Sequence, residues 1–131
     1  MMQLRAYNEE DHATIASWWQ RHGAGVVPHS ALPQTGCIAY NYEDTPCAAA
    51  WLYMDNSVPF GLLAWPIVNP EVGAIDKFKG LNHCVEWLTV HGKNLGYSSI
   101  AAMSAVHSMS RLIEGHDYKI MAKGVEVLMK G

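Results

Sequence analysis

The sequence predicts an α/β fold: a mixed, mostly antiparallel sheet of six or seven strands with helices on both faces. Three observations carry this. Apolar runs at residues 36–42, 47–54 and 58–68 are short, are separated by turn residues and read as strands. Residues 74–95 repeat apolar side chains every three or four positions, the period of an amphipathic helix lying on a sheet. A strand at 97–104 follows that helix, so it pairs in parallel with 58–68 through a right-handed crossover.

The elements follow in order. Residues 3–7 form a short strand that stops at Asn8, a good helix N-cap, and Glu9, Glu10 and Asp11 complement the positive helix end. The first helix runs to about residue 22. It carries Ile15, Trp18, Trp19 and His22 at helical spacing, with Gly23 placed to end it and the tryptophan pair expected on the sheet. Residues 23–36 contain Gly25, Pro28 and Pro33 without a periodic pattern, the signature of a loop that covers a site. Glu43-Asp44-Thr45-Pro46 joins the strands 36–42 and 47–54 into a hairpin, and Asp55-Asn56-Ser57 turns the chain again. In the long helix Ile75, Phe78, Leu81, Val85, Leu88 and Leu95 mark the sheet side, with a break near Gly92. Lys77, Lys79, Glu86 and Lys93 point elsewhere. A short helix at 106–115 leads to a closing strand from Asp117, and residues 118–129 read as a final hairpin turning at Lys123-Gly124.

Composition narrows the function. The chain has 131 residues, room for one domain over 1–131; half are hydrophobic and 16% charged, as in a compact globular protein. The net charge of −3 and the lack of any Lys/Arg run argue against general nucleic-acid binding. The longest apolar stretches fall short of the roughly 20 residues that cross a bilayer, so no membrane association is expected. The first ten residues lack the apolar core of a secretory signal, which makes a cytoplasmic location the expectation. Cys37, Cys47 and Cys84 lack zinc or redox-pair spacing and read as buried thiols. His83 and His91 lack ligand spacing, and no metal site is expected.

This order of elements resembles the GNAT N-acetyltransferase superfamily over essentially the whole chain. Arg5-Ala6-Tyr7 with Asp11, Ile15, Trp18 and Trp19 looks like the first strand and helix of small, phage-type GNAT-like proteins. Leu112-Ile113-Glu114-Gly115-His116-Asp117-Tyr118-Lys119 is similar to the late segment of the family, where a Gly-aromatic pair opens the last hairpin; Asp117 stands at that Gly. The resemblance implies a splayed parallel pair of central strands with acyl-CoA between them, pantetheine along residues 64–68 and pyrophosphate on amides at 73–77. The cofactor-binding residues so implied are Ile67, Val68, Gly73, Ala74, Ile75 and Lys77. Helix-start amides bind phosphate on physical grounds alone, and Lys77 and Lys79 either add charge there or are solvated helix positions. In the phosphate loop Gly73 falls at the family's Arg or Gln, and Asp76 and Phe78 fall at its two small positions. An aspartate facing pyrophosphate is unfavourable, and Phe78 obstructs close backbone approach.

Acyl transfer to an amine needs a group to take the ammonium proton and often an acid for the leaving thiolate. The family's usual glutamate falls at Ala64 and its tyrosine acid at Ile113. Asp55 is set aside because hairpin register places it near Val58, away from the proposed cofactor. His107 and Ser108, opening the late helix, are the candidate catalytic residues, with Tyr40 or Tyr42 on the facing meander. A histidine there is of the type that acts as a base directly or through a water; the same pair also suits a capping, solvent-facing role. The implied function is transfer of an acetyl group from acetyl-CoA, as co-substrate, to a primary amine, with residues 23–34 shaping the acceptor pocket. The alternative is a catalytically degenerate GNAT-like binding or protein-interaction module. A third reading is a homodimer pairing through strand edges or the aromatic first helix.

Overall fold

The computed structural model describes residues 2–130. Its elements are β1 (Gln3–Ala6), α1 (His12–Arg21), β2 (Gly36–Tyr40), β3 (Pro46–Met54), β4 (Phe60–Val68), α2 (Ala74–Asn94), β5 (Ser99–Ala102) and α3 (His107–Glu114). The sheet order is β1-β2-β3-β4-β5, antiparallel throughout except for the parallel β4–β5 pair. No helix among the described residues is long and apolar enough to cross a membrane.

Asn8 does what its position suggests. Its side chain accepts from the Glu10 N–H, the Asp11 carboxylate accepts from the Asn8 N–H, and this capping box closes a 3₁₀ turn that runs into α1. Past the end of the helix Gly23 takes the left-handed φ of 72°. Ile15, Trp18 and Trp19 are buried against Ile38, Ala49, Trp51 and Ile67 on one face of the sheet. The tryptophans are thereby part of the core.

The opposite face carries α2 and α3, packed on Cys37, Ala39, Ala48, Ala50, Leu52 and Leu63. The helical period is as read, but its buried stripe is Gly80, Leu81, Cys84, Val85, Leu88 and Gly92. Ile75, Phe78 and Leu95 lie outside the stripe and are exposed. What looked like a break at Gly92 is a contact. A Cβ at Gly80 would lie 3.1 Å from the Cys47 Cβ and 3.2 Å from the Ala48 Cβ; one at Gly92 would lie 3.0 Å from the ends of Leu52 and Ile100. Glycines on the helix and alanines on β2 and β3 let the two layers approach closely. The three thiols are buried as expected, and a hydrogen bond with Cys37 together with complete burial pushes the Cys84 thiol well above its ordinary range.

Two expectations about the sheet fail. Five strands form among the described residues rather than six or seven, because residues 118–129 make no ladder. The turn at Lys123-Gly124 is present, with Gly124 at φ 67°, but Ile120, Met121, Val125 and Leu128 stay exposed, and a two-stranded ribbon without a packed face is marginal in water. Tyr118 alone docks back, its hydroxyl 2.7 Å from Thr89 Oγ1. The parallel pair consequently lies at the edge of the sheet, not at its centre. Asp117, standing where the family has glycine, adopts φ 68°, a conformation that aspartate tolerates better than most side chains.

Gly80→Ala is expected to lower stability despite the better helix propensity of alanine. The gain of about 1 kcal/mol is outweighed by overpacking of roughly 1–3 kcal/mol against Cβ atoms that cannot rotate away. Urea denaturation checks this, with Gly25→Ala, whose new Cβ meets nothing within 4 Å, as the neutral comparison.

Candidate functional site

β4 and β5 pair from Phe60–Ser99 to Leu63–Ala102, and the Met103 N–H on the Leu63 carbonyl (3.0 Å) ends the ladder. Residues 64–68 then continue beside β3 alone. Their backbone directions follow from the pairs that remain. Ala64 opposes Trp51, and Asn69 N–H donates to the Cys47 carbonyl at 2.8 Å. Carbonyl and following N–H point oppositely across a trans peptide, so the Trp65 N–H, the Val68 N–H and the Val68 carbonyl face the side that β5 has left. Pro66, which has no N–H to give, sits on the same unpaired stretch, where it costs no ladder bond.

This stretch contains a bulge. Ala49 opposes Ile67 and Trp51 opposes Ala64, so Trp65 and Pro66 together oppose Ala50. Trp65 has φ 57°, an unfavourable conformation for a bulky side chain that costs of order 1–3 kcal/mol and persists only where the surroundings enforce it. Its indole N–H donates to the Tyr53 hydroxyl (2.8 Å), which donates to the Ala31 carbonyl (2.7 Å).

The start of α2 lies at the same end of the sheet. Two buried asparagines shape it. Asn69 accepts from the Glu71 N–H (2.9 Å) and donates to the Pro46 carbonyl (2.9 Å), fixing the turn out of β4. Asn41 accepts from the N–H groups of Glu43 and Thr45 and donates to the Asp76 carboxylate at 3.0 Å. Asp76 is therefore engaged by the β2–β3 turn. Gly73 is the N-cap in an extended conformation, and the amides of Ala74, Ile75 and Asp76 have no protein partner among the described residues. Such amides, with the helix dipole behind them, favour an anion.

The other residues singled out in the sequence fall as follows. Val68 presents its backbone to the opening, whereas the Ile67 side chain is buried toward α1. Gly73, Ala74 and Ile75 are exposed and Lys77 half-buried; neither Lys77 nor Lys79 is in an ion pair among the described residues. Phe78 is 58% exposed and does not fill the opening. His107 and Ser108 form the exposed first turn of α3, and Val106 is the N-cap, so neither residue caps that helix. Since α2 and α3 both start at the carboxyl ends of the parallel strands, the topology brings His107 and Gly73 to one end of the sheet. Tyr40 lies under the Arg5 guanidinium, 4.1 Å from its ring centre; burial first, then Asp11, raises its phenol above the ordinary range. Tyr42 is exposed on the β2–β3 turn. Ala64 and Ile113 are buried and apolar. Asp55 lies on the β3–β4 turn at the far end of β4, its carboxyl lowered by hydrogen bonds from Ser57 and Val58.

Four participants escaped the sequence reading in these roles. Besides Asn41, Asn69 and Tyr53 there is His22, read as an apolar-face residue of α1, whose Nε2 lies 3.0 Å from the Val68 carbonyl. Beside it Arg21 makes an exposed ion pair with Glu71, in the turn after β4, at 3.1 Å. The asparagines had a signal, since each opens a turn sequence, Asn41 before Glu43-Asp44 and Asn69 before Pro70. His22 and Tyr53 had none, because their partners are distant in the chain.

No family model matches the sequence, and no curated protein matches it; solved structures do. A GNAT-family acetyltransferase from Staphylococcus aureus Mu50 superposes with a TM-score of 0.73 at 8% identity, over 95% of this chain and 88% of that one. A transcriptional regulator from Bacillus halodurans C-125 gives a TM-score of 0.73 at 11% identity over 98% and 100%. The N-acetylglutamate synthase of Neisseria gonorrhoeae, in complex with coenzyme A and N-acetyl-glutamate, gives 0.64 at 14% identity over 88% of this chain and 28% of that longer one. The chain has the GNAT acetyltransferase fold.

Asn41→Ala is expected to cost about 1–3 kcal/mol, because it leaves the Glu43 and Thr45 amides and the Asp76 carboxylate without their partner. Chemical denaturation beside the exposed Tyr42→Ala, expected within about 0.5 kcal/mol of wild type, checks it.

Proposed function

We propose that the protein transfers an acetyl group from acetyl-CoA to a primary amine by direct attack in a ternary complex. The observation that carries this is the meeting, at one end of the sheet, of an unpaired strand edge with a helix start whose amides are free. Pantetheine carries amides spaced to pair with an open β-edge much as an added strand does, and its pyrophosphate suits the Ala74–Asp76 amides. Binding of coenzyme A by the Neisseria neighbour of the same fold supports the choice of donor.

In this reading the Trp65 N–H, held by the bulge, donates to the thioester oxygen as negative charge develops on it. The neutral amine nitrogen attacks the carbonyl carbon, the C–S bond breaks, and the departing thiolate takes up the second proton, which the new amide nitrogen sheds. His107, with Ser108 beside it, takes the proton of the incoming ammonium directly or through a water. The loop at 23–34 borders the acceptor side. Holding both reactants on one rigid edge supplies much of the rate by proximity.

The second reading, a binding or protein-interaction module, is favoured by the buried apolar Ala64 and Ile113 where the family places its base and acid, and by Gly73 without a charged side chain. Isothermal titration with acetyl-CoA and, separately, CoA decides first whether the donor binds. Micromolar affinity is expected; no heat at millimolar ligand, together with an unchanged melting temperature, sinks the acetyltransferase reading.

Asp76→Asn keeps an acceptor for Asn41 and removes a negative charge from the phosphate side. CoA affinity is expected to rise several-fold, while stability falls by about 0.3–1 kcal/mol through the lost helix-dipole interaction. Titration and thermal melting of the same sample read both.

A further inference from the structure

We propose that Tyr53 is a positioning residue that couples the 23–36 loop to the acyl-donor edge of β4. The proposal rests on the acetyl-transfer reading for its consequence, though not for its geometry. An indole N–H only donates and a carbonyl only accepts, so the order of the chain is fixed: Trp65 Nε1–H to Tyr53 Oη at 2.8 Å, and Tyr53 Oη–H to the Ala31 carbonyl at 2.7 Å. With its proton given to Ala31, the phenol is not an acid for the thiolate. Its part is mechanical.

Trp65 is the bulge residue at φ 57°, and its main-chain N–H faces the opening. A bulky side chain stays in that conformation only when something outside the strand holds it. Tyr53 supplies one such hold, beside the packing of the Trp65 ring on the α1 face, and it is itself anchored to the loop. The loop in turn is docked by the Tyr7 hydroxyl against His29 Nδ1 (2.9 Å), by His12 Nε2 on the Val27 carbonyl (2.8 Å) and by the Leu52 N–H on the Thr35 carbonyl (2.9 Å). An acceptor that seats or lifts the loop therefore tightens or releases the amide that polarises the thioester. Acceptor recognition and carbonyl activation share one hydrogen-bonded chain.

Tyr53→Phe deletes the hydroxyl and keeps the ring; Trp65→Phe cuts the same chain from the other side and serves as the second variant. In 15N spectra of the protein without ligand, Tyr53→Phe is expected to speed exchange of the Trp65 indole N–H at least tenfold and to shift the Trp65 main-chain amide resonance. Both unchanged overturns the proposal. With ligand, wild type is expected to prefer acetyl-CoA over CoA by at least threefold. Tyr53→Phe should bring that ratio near one while leaving CoA affinity as it was, and Trp65→Phe should lower the ratio as well. An equal loss of affinity for both ligands would mean that Tyr53 serves only to hold the fold, and an unchanged ratio would also overturn the coupling. If wild type binds neither ligand, the acetyl-transfer reading fails by itself, and the resonance and exchange data alone decide for or against the chain.

Discussion

β4 outlasts its parallel neighbour, and most of what is distinctive in this molecule follows from that. An unpaired backbone group in a sheet must be bonded, solvated or offered to a ligand. Beyond Leu63 the strand responds with a bulge at Trp65, a proline at position 66 that withdraws one donor, and a histidine from α1 on the Val68 carbonyl. What remains open is a pair of N–H groups beside the start of α2. Around that edge α2 lies close on the sheet through Gly80 and Gly92, and His22 and Arg21 make surface contacts at the end of β4.

The same geometry changes the weight of the altered phosphate loop. An aspartate among anion-binding amides is a repulsive element, yet Asp76 is bonded to Asn41, and Phe78 is turned into solvent instead of lying in the opening. Neither residue closes the site. The absent carboxylate at Ala64 and phenol at Ile113 are different in kind, since both positions are sealed in the core and nothing titratable can be recruited there. The acid–base work must come from the α3 side, from solvent, or not at all. Donor binding and chemistry are thus separable questions for this protein.

Much of the fold was legible because it rests on local pattern: the Asn8 cap, the Trp18-Trp19 face, the β2–β3–β4 meander and the crossover helix all appear where periodicity and turn residues put them. The failures share a cause. Glycine scored as an interruption of α2, whereas at Gly80 and Gly92 the missing side chain is the contact, which only the opposing Cys47, Ala48 and Leu52 reveal. The final hairpin had alternation and a turn but no surface to pack on, and pattern alone does not report whether a partner exists. In the site, the helix start was visible as a position after a strand. The Trp65 conformation, the Tyr53 chain and the His22 contact join residues 12 to 46 positions apart and leave no mark in the local sequence.

In the proposed reading the unpaired edge of β4 and the start of α2 form one acyl-CoA site. Titrating 15N-labelled protein with acetyl-CoA tests it residue by residue. Shift changes are expected to concentrate at the amides of Trp65, Val68, Ala74, Ile75 and Asp76, with the Asp55 turn at the far end of β4 unaffected. Saturable changes centred elsewhere, or none at millimolar ligand, would contradict it.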